Sequence, residues 1–344
     1  MSAKRIFAQI LLYLRMKILV IRFSSIGDVI WVTPALRCLK TQKPNIELHF
    51  CTKKAYRDLF SHNPHIDKLH LLDKDLNKLI TQLKAEKFDL IIDLHKNLRT
   101  FYLKLRLGVK SYSYQKLSFE KWLYVHFRIN RLPNCHTADR YLATLQPLGV
   151  VPDGKGLELY IPPEQEVPLN YYPKTHQNGF VAVVIGASYF TKKLPLNKLI
   201  ELCQAIPLPI VLVGGKEDAL VASQIVAYFE QNNTSKPMIF DTCGKLSIIQ
   251  SASVVKRALW VVGHDTGLMH IAACFQKKIY TIWGSTTPNM GLYPYKTDFE
   301  VIENNEISCR PCSHLGRKKC PKGHFKCMQD LNFETIKKDV NHFV

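Results

Sequence analysis

The sequence predicts an α/β protein with two halves, each built on a parallel, doubly wound sheet. Three observations lead there. Short apolar runs alternate with amphipathic segments on both sides of position 165. The runs at 17–23, 89–94, 180–185 and 260–263 are almost continuously apolar, as strands covered on both faces are. A length of 344 residues is long for one domain and comfortable for two.

Taken in order, 17–23 (KILVIRF) reads as a buried strand, and Ser24, Ser25, Ile26, Gly27 and Asp28 form the turn into a helix over 29–40. A strand at 47–51, a helix near 55–60, a short strand at 65–72, a helix over 76–87 and a strand at 89–94 follow. Strands alternating with helices give a parallel sheet. Segment 96–131 breaks the rhythm: it holds nine Lys or Arg, one acid (Glu120) and eight interleaved Phe, Tyr or Trp. Helix character returns at 141–148. Segment 150–178 is rich in Pro, Gly and polar residues, and the linker is expected between 162 and 178. The second half then offers strands at 180–185, 210–214, 238–241, 260–263 and 278–283. Its helices lie near 195–205, 217–231, 248–257 and 268–275. The expected division is an extension at 1–15, a first domain at 16–165, a second at 178–331 and a last helix at 332–344.

Net charge is +19, from 47 Lys and Arg against 28 Asp and Glu, which implies anionic partners without naming them. No apolar run reaches the roughly eighteen residues of a membrane span. Ten cysteines, mostly scattered singly, suggest a reducing compartment. Residues 1–15 have a basic start and an apolar middle but no small-residue cleavage site, so they do not read as a secretory signal. They read either as an amphipathic anchor or as an extension ahead of a fold that begins at Met16.

The chemistry concentrates in 261–288, VVGHDTGLMHIAACFQKKIYTIWGSTTP. A strand stops at Gly263 and His264, Asp265, Thr266 and Gly267 follow, then a helix, then a strand ending in a Gly-Ser-Thr-Thr turn. In open α/β sheets ligands sit at the carboxyl ends of strands. The N–H groups of Thr266, Gly267 and Leu268 open a helix whose dipole suits a diphosphate. Asp265 is placed to accept sugar hydroxyls, and capping of the helix is the plainer alternative. At the other end of the chain Asp28 follows a Ser-Ser-Ile-Gly turn after the first strand, where Gly27 lets the backbone approach a ligand. It reads as a general base or as an ordinary first-turn helix acid.

Both stretches resemble glycosyltransferase family 9, the lipopolysaccharide heptosyltransferases, inverting enzymes that use ADP-heptose. DTGLMHIAA followed by a strand and GSTTP is similar to the family's C-terminal motif, and MKILVIRFSSIGDVIWVTPALRCL to its opening strand, loop and helix. The resemblance spans nearly all of the chain after Met16. It implies two Rossmann-like domains facing across a cleft, the glycosyltransferase B architecture, with the last helix packed back on the first domain. It also implies a general-base role for Asp28 within the S-x-G-D motif, with Ser25 and Gly27 on the acceptor side. In the loop GASYFTKKLP it implies that Lys192, in K-x-x-P spacing, faces the leaving diphosphate, with Lys193 as the alternative. Leu194 stands where the family usually has Trp. Ser188 and Thr191 would add hydroxyl donors to a phosphate, Glu217 would take the ribose or simply cap its helix, Leu246 would pack on the adenine, and His270 would reach the diphosphate or, as a lone helical His more often does, pack in the core. Segment 93–100, DLHKNLRT, resembles the acceptor loop, with Lys96 and Arg99 facing acidic groups of an inner-core or lipid A acceptor. No cofactor and no catalytic metal are implied.

Cys309, Cys312, Cys320 and Cys327 form C-x2-C-x7-C-x6-C, with His314 and His324 inside it. That spacing allows a tetrahedral zinc site, unmetallated thiols or, less readily in cytoplasm, disulfides. Two other functions fit part of the chain. A nucleotide-sugar epimerase on the same fold would not need the basic, aromatic 96–131 segment. A nucleic-acid-binding module is suggested by charge alone, with no recognition motif, so no nucleic-acid partner is expected. The expected setting is cytoplasmic, peripheral on the cytoplasmic face of the inner membrane, with 96–131 against anionic headgroups.

Overall fold

The computed structural model describes residues 16–232 and 237–340. The expected extension at 1–15 lies outside the described residues. The chain divides into two compact units, Met1–Lys116 with Ala138–Lys155, and Leu117–Thr137 with Gly156–Val344.

The first unit runs β1 (Lys17–Ile21), α1 (Ile26–Ile30), α2 (Thr33–Gln42), β2 (Glu47–Lys53), β3 (Lys68–Leu72), α3 (Leu76–Glu86), β4 (Leu90–Asp93), α4 (Leu98–Leu107) and β5 (Ser111–Ser113). Its sheet has the order β3-β2-β1-β4-β5, every pairing parallel, with Ile21 opposite Cys51 on one side and Asp93 on the other. Leu19, Ile21, Phe23, Ile91 and Leu103 are fully buried in its core. The helix expected at 29–40 is two helices. Pro34 sits in the first turn of α2, where its fixed φ starts a helix but cannot continue one. The helix expected near 55–60 is a 3-10 segment, Lys54–Leu59. Asp75 starts α3 where the sequence placed it, accepting from the N–H groups of Asn77 and Lys78.

After β5 come α5 (Ser118–Phe127), which belongs to the second unit, and α6 (Thr137–Ala143), which returns to the first from Ala138. The second unit continues with α7 (Lys174–Gln177), β6 (Val181–Val184), α8 (Leu196–Gln204), β7 (Ile210–Val213), α9 (Ala219–Gln231) and β8 (Ile239–Asp241). Then come α10 (Ile248–Arg257), β9 (Val261–His264), α11 (Gly267–Cys274), β10 (Ile279–Trp283), β11 (Phe299–Glu303), α12 (Lys326–Gln329) and α13 (Glu334–Val340). Its sheet order is β11-β10-β9-β6-β7-β8, again all parallel. Counted from its own first strand this is the 3-2-1-4-5-6 order of a Rossmann fold, and the first unit lacks only the sixth strand.

Three expectations change. The division falls at Lys155, ahead of the predicted linker, because 162–178 packs on the second unit. There the Val167 N–H donates to Ser253 Oγ at 2.9 Å, and Glu166 pairs with Lys256 at 2.5 Å. The basic segment is split rather than kept in the first domain. Arg128 donates to the carbonyls of Cys309 and Pro311 at 2.8 and 2.9 Å, which ties α5 to the second unit. The last helix packs within the second unit: Leu331, Phe333 and Ile336 are buried in that unit's own core, with Lys198 Nζ 5.2 Å from the Phe333 ring centre. The unpredicted strands, β5 and β11, are edge strands, mostly half-buried, and so lack the apolar run that marks a central strand.

Candidate active site

In each unit the strand order reverses once, between β1 and β4 and between β6 and β9. Crevices at the carboxyl ends of such neighbours are where open α/β sheets bind ligands.

In the first unit that position holds Asp28. It is the third residue of the first turn of α1, and its Oδ2 accepts from the N–H of Ser25 at 2.9 Å and from the Ser25 hydroxyl at 2.7 Å. Its Oδ1 lies 2.5 Å from Arg22 Nη2. Arg22 is buried and also donates through Nη1 to the carbonyl of Leu94 at 2.6 Å, stitching the ends of β1 and β4 together. The capping and catalytic readings of Asp28 are therefore compatible. Its carboxylate closes the α1 turn and is still 25% exposed. Burial alone would raise its pKa, but Arg22 and the two Ser25 donors outweigh that and hold the carboxyl below its ordinary value. The group is ionised throughout the neutral range and can accept a proton, although its basicity is reduced.

Around this pair stand residues the sequence did not single out. Tyr141 is fully buried, its ring 5.6 Å from the Arg22 guanidinium, and Tyr114 meets it edge-on at 4.9 Å. His95 lies edge-on to Phe23 at 5.3 Å. Burial, and then the charge of Arg22, lower its pKa to about 4, so the ring is neutral at pH 7. The signals were present: Arg22 interrupts an apolar strand, and His95 follows the end of β4. Asp93 shapes the loop after β4, its Oδ1 accepting from the N–H groups of His95 and Lys96 while Lys104 pairs with Oδ2 at 2.9 Å. Lys96 and Arg99 are both exposed, Lys96 in a left-handed conformation.

In the second unit the loop after β6 carries Lys192, and the turn after β9 carries Asp265. Lys192 Nζ is 2.5 Å from Asp265 Oδ2, which also accepts from the Thr286 hydroxyl at 3.0 Å. One carboxylate thus gathers the loops that follow β6, β9 and β10. Lys193, the alternative, pairs instead with the buried Asp218 at 2.5 Å, and Asp218 also accepts from the Gly215 N–H at 2.9 Å. His264 Nε2 accepts from the Leu194 N–H at 2.9 Å, and burial lowers its pKa to about 4. The two lysines therefore separate: Lys193 is tied to the scaffold and Lys192 stands at the strand switch. Thr266 caps α11 in an extended conformation, and its hydroxyl is shielded from solvent without a hydrogen-bond partner among the described residues. Gly267 opens the helix behind it.

Other predicted residues distribute unevenly. Ser188 is exposed in the β6 loop and Glu217 is exposed in the turn after β7. Leu246 is half-buried after β8. The β7 and β8 turns touch, the Gly244 N–H donating to the Gly214 carbonyl at 3.1 Å. Gly244 has φ +70, and a Cβ there would meet the Lys216 backbone at 3.0 Å. Thr191 is held inside the loop. It is buried, its Oγ1 2.8 Å from Ser285 Oγ and accepting from the Arg317 N–H at 2.8 Å, so it braces the loop that presents Lys192. His270 is likewise 2% exposed within α11, a packed position rather than an open one.

The profile of glycosyltransferase family 9 (heptosyltransferase) matches residues 76–322. The chain belongs to glycosyltransferase family 9. It is 24% identical to lipopolysaccharide heptosyltransferase 1 of Campylobacter coli, over 94% of this chain and 98% of that one. Among solved structures it is similar to a glycosyltransferase family 9 protein of Veillonella parvula, with a TM-score of 0.75 at 22% identity over 95% and 96% of the two chains. It is also similar to the Escherichia coli heptosyltransferase WaaC, solved with ADP, with a TM-score of 0.64 at 19% identity over 86% and 97%. Both Rossmann-like units are thus those of a family 9 glycosyltransferase.

In this glycosyltransferase the cysteine-rich segment is part of the site's support. The N–H groups of Cys312 and Ser313 donate to the Ser285 carbonyl at 3.1 and 3.3 Å. Arg310 is buried and donates to the carbonyls of Gly284 at 2.6 Å and Thr286 at 3.0 Å, while pairing with Glu303 at 2.6 Å. Cys309, Cys312, Cys320 and Cys327 all carry free thiols, and burial pushes the Cys327 thiol up to about 12. Replacing Arg310 with Ala is expected to cost about 2–4 kcal/mol of stability, because two buried carbonyls and Glu303 lose their donor. Thermal unfolding measures the effect.

Proposed function

We propose that this glycosyltransferase moves heptose, or a closely related sugar, from ADP-heptose to an inner-core or lipid A acceptor of lipopolysaccharide, with inversion at the anomeric carbon. The observation that carries this reading is the placement of an ionised carboxylate, Asp28, at one strand switch and an ammonium beside a helix N-terminus, Lys192 with Thr266–Gly267, at the other. Family membership supplies the reaction class, and the names of the relatives, heptosyltransferases of lipopolysaccharide and lipooligosaccharide, supply the sugar.

In this scheme the acceptor hydroxyl gives its proton to Asp28 as its oxygen bonds to C1 of the sugar. Ser25 and Gly27 shape the approach, and Lys96 and Arg99 meet anionic groups of the acceptor. The bond from C1 to the diphosphate oxygen breaks, and its electron pair stays on ADP. Lys192 turns from Asp265 to that developing charge, and the N–H groups at the start of α11 share it. Asp265 is then available to the sugar hydroxyls, with Ser188 beside the phosphates. Glu217 takes the ribose and Leu246 the adenine. His270 acts behind the diphosphate through α11. The charge on the leaving group is met by side chain and backbone, so no metal ion takes part.

Transfer of radiolabelled heptose from ADP-heptose to extracted core glycolipid tests the proposal. Labelled glycolipid is the expected product, at a rate that EDTA leaves unchanged. Free heptose or an epimerised nucleotide sugar, with no labelled glycolipid, rejects the transferase reading. A rate that falls on chelation and returns with magnesium rejects the metal-free one. An acceptor of this kind lies in the inner leaflet of the cytoplasmic membrane, so the enzyme works as a peripheral protein on that face. Among the described residues no helix is long and apolar enough to cross a membrane.

A further inference from the structure

α4 carries two faces, and only one belongs to the fold. Thr100 and Leu103 are buried against the first unit. Facing away, Leu98 is 86%, Phe101 64% and Leu105 69% exposed. At about 100° per residue these three fall within an arc of about 60°, one continuous apolar stripe. Single exposed apolar side chains are ordinary on protein surfaces. Three large ones at helical spacing on one short helix form a patch of the kind that marks a contact.

The charge beside the stripe identifies what it meets. Arg99 and Arg106 lie along one flank, about 80–100° from Leu98 around the helix. Both are exposed, and Arg106 is held by the Tyr102 hydroxyl at 2.6 Å. At the N-terminal end of α4 opens a cavity of about 520 Å³, where Arg99 is joined by Lys53 from the end of β2 and by Lys54 and Lys74, against one acid, Asp73. An apolar stripe flanked by cations is the arrangement of a helix that lies in a membrane interface. A protein partner would not require both an apolar ridge and an adjoining basin of four cations, whereas an anionic lipid layer offers acyl chains and phosphates at matching depths.

We propose that α4 lies flat on an anionic lipid surface, with Leu98, Phe101 and Leu105 entering the boundary between headgroups and acyl chains. Arg106 and the lysines of the neighbouring cavity, Lys53, Lys54 and Lys74, meet the lipid phosphates, while Arg99 stays with the acceptor. This deepens the reading of a membrane-borne acceptor and rests on it only for the identity of the membrane. It predicts a contact that salt weakens but does not abolish, because the apolar part is not screened.

The test is co-sedimentation of the full-length protein with phosphatidylethanolamine vesicles containing phosphatidylglycerol, and with phosphatidylcholine vesicles. Wild-type protein should bind the first far more strongly than the second, and keep a small measurable part of that binding at about 0.5 M salt. The triple variant Leu98→Ser, Phe101→Ser, Leu105→Ser should bind about 100-fold more weakly, since three apolar side chains no longer leave water. Its melting curve should match the wild type, because the changed side chains are exposed. Transfer to a deacylated, water-soluble acceptor should match in the double variant Phe101→Ser, Leu105→Ser, which leaves the 93–100 loop intact. Triple-variant binding within about twofold of the wild type overturns the proposal. So does wild-type protein that ignores phosphatidylglycerol, or binding abolished by deleting residues 1–15, which would make that extension the anchor. A double variant, Phe101→Ser with Leu105→Ser, that loses transfer to the soluble acceptor would place the stripe in acceptor recognition instead, and also overturns it. If wild-type protein transfers no sugar at all, the functional reading fails while the vesicle result still judges the lipid contact.

Discussion

Asp28→Asn should lose about 10²–10⁴-fold in kcat while binding ADP as the wild type does. The amide keeps the size of the side chain and can still accept from Ser25, so the α1 turn survives. It cannot take a proton, and it leaves Arg22 without its carboxylate. Arg22 keeps the Leu94 carbonyl, so the cost to stability is about 1–3 kcal/mol rather than that of an unpaired buried charge. The pH dependence has a definite sign. The folded carboxyl lies below its ordinary value of 3.8, so Asp28 contributes its full stability above that value and loses it as pH falls through the lower folded pKa. The rate should then show no Asp28 titration above about pH 5, and an acid limb near neutrality would have to come from another group. Steady-state kinetics with ADP titration separates the two effects. Near-normal turnover in the variant removes Asp28 from the role, and His95, neutral and close to the same pair, becomes the next candidate.

How far the sequence reached can be read from the same residues. Central strands were legible because burial on both faces writes an uninterrupted apolar run. β1, β4, β6 and β9 all fall inside the expected ranges or within a residue of them. The edge strands β5 and β11 were not, since Ser-Tyr-Ser has no apolar run and Glu300 and Glu303 interrupt the one in β11. The positions of Asp28 and Asp265 at strand ends were legible from turns with glycine and hydroxyl residues, and Lys192 through its K-x-x-P likeness to the family. Their partners were not. Arg22 is opposed to Asp28 through the fold of α1, and Thr286 reaches Asp265 from twenty-one positions away. Thr191 shows the limit most clearly. A hydroxyl in a candidate phosphate loop looks like a donor, and only its hydrogen bonds to Ser285 and Arg317 reveal a brace. The spacing of the four cysteines pointed to zinc, thiols or disulfides and not to a structural contact, whereas their segment bonds the Gly284–Thr286 turn directly.

The adjacent lysines offer the sharpest comparison, because one sequence motif contains two different physical situations. Lys192→Ala should slow transfer by about 10²–10³-fold, the usual effect of removing one preorganised group from a developing negative charge. ADP affinity should fall as well, since the ammonium also meets the product. Removing Lys192 leaves Asp265, 7% exposed at its side chain, with the Thr286 hydroxyl. That carboxylate then repels the incoming diphosphate, which adds to the loss. Lys193→Ala should behave differently. Asp218 is 4% exposed at its side chain and would keep only the Gly215 N–H among its described bonds. Stripping one partner from a buried pair costs about 3–5 kcal/mol, and the partial exposure of Lys193 lowers this to about 2–3 kcal/mol. At about 2–4 °C per kcal/mol for a unit of roughly 200 residues, melting of the second unit should drop by several degrees. Turnover measured well below that melting temperature should change much less than in Lys192→Ala. Kinetics and thermal unfolding of the two variants side by side distinguish the roles. Should Lys193→Ala prove slow but stable, and Lys192→Ala unstable but active, the leaving-group charge belongs to Lys193 and Lys192 is the scaffold residue.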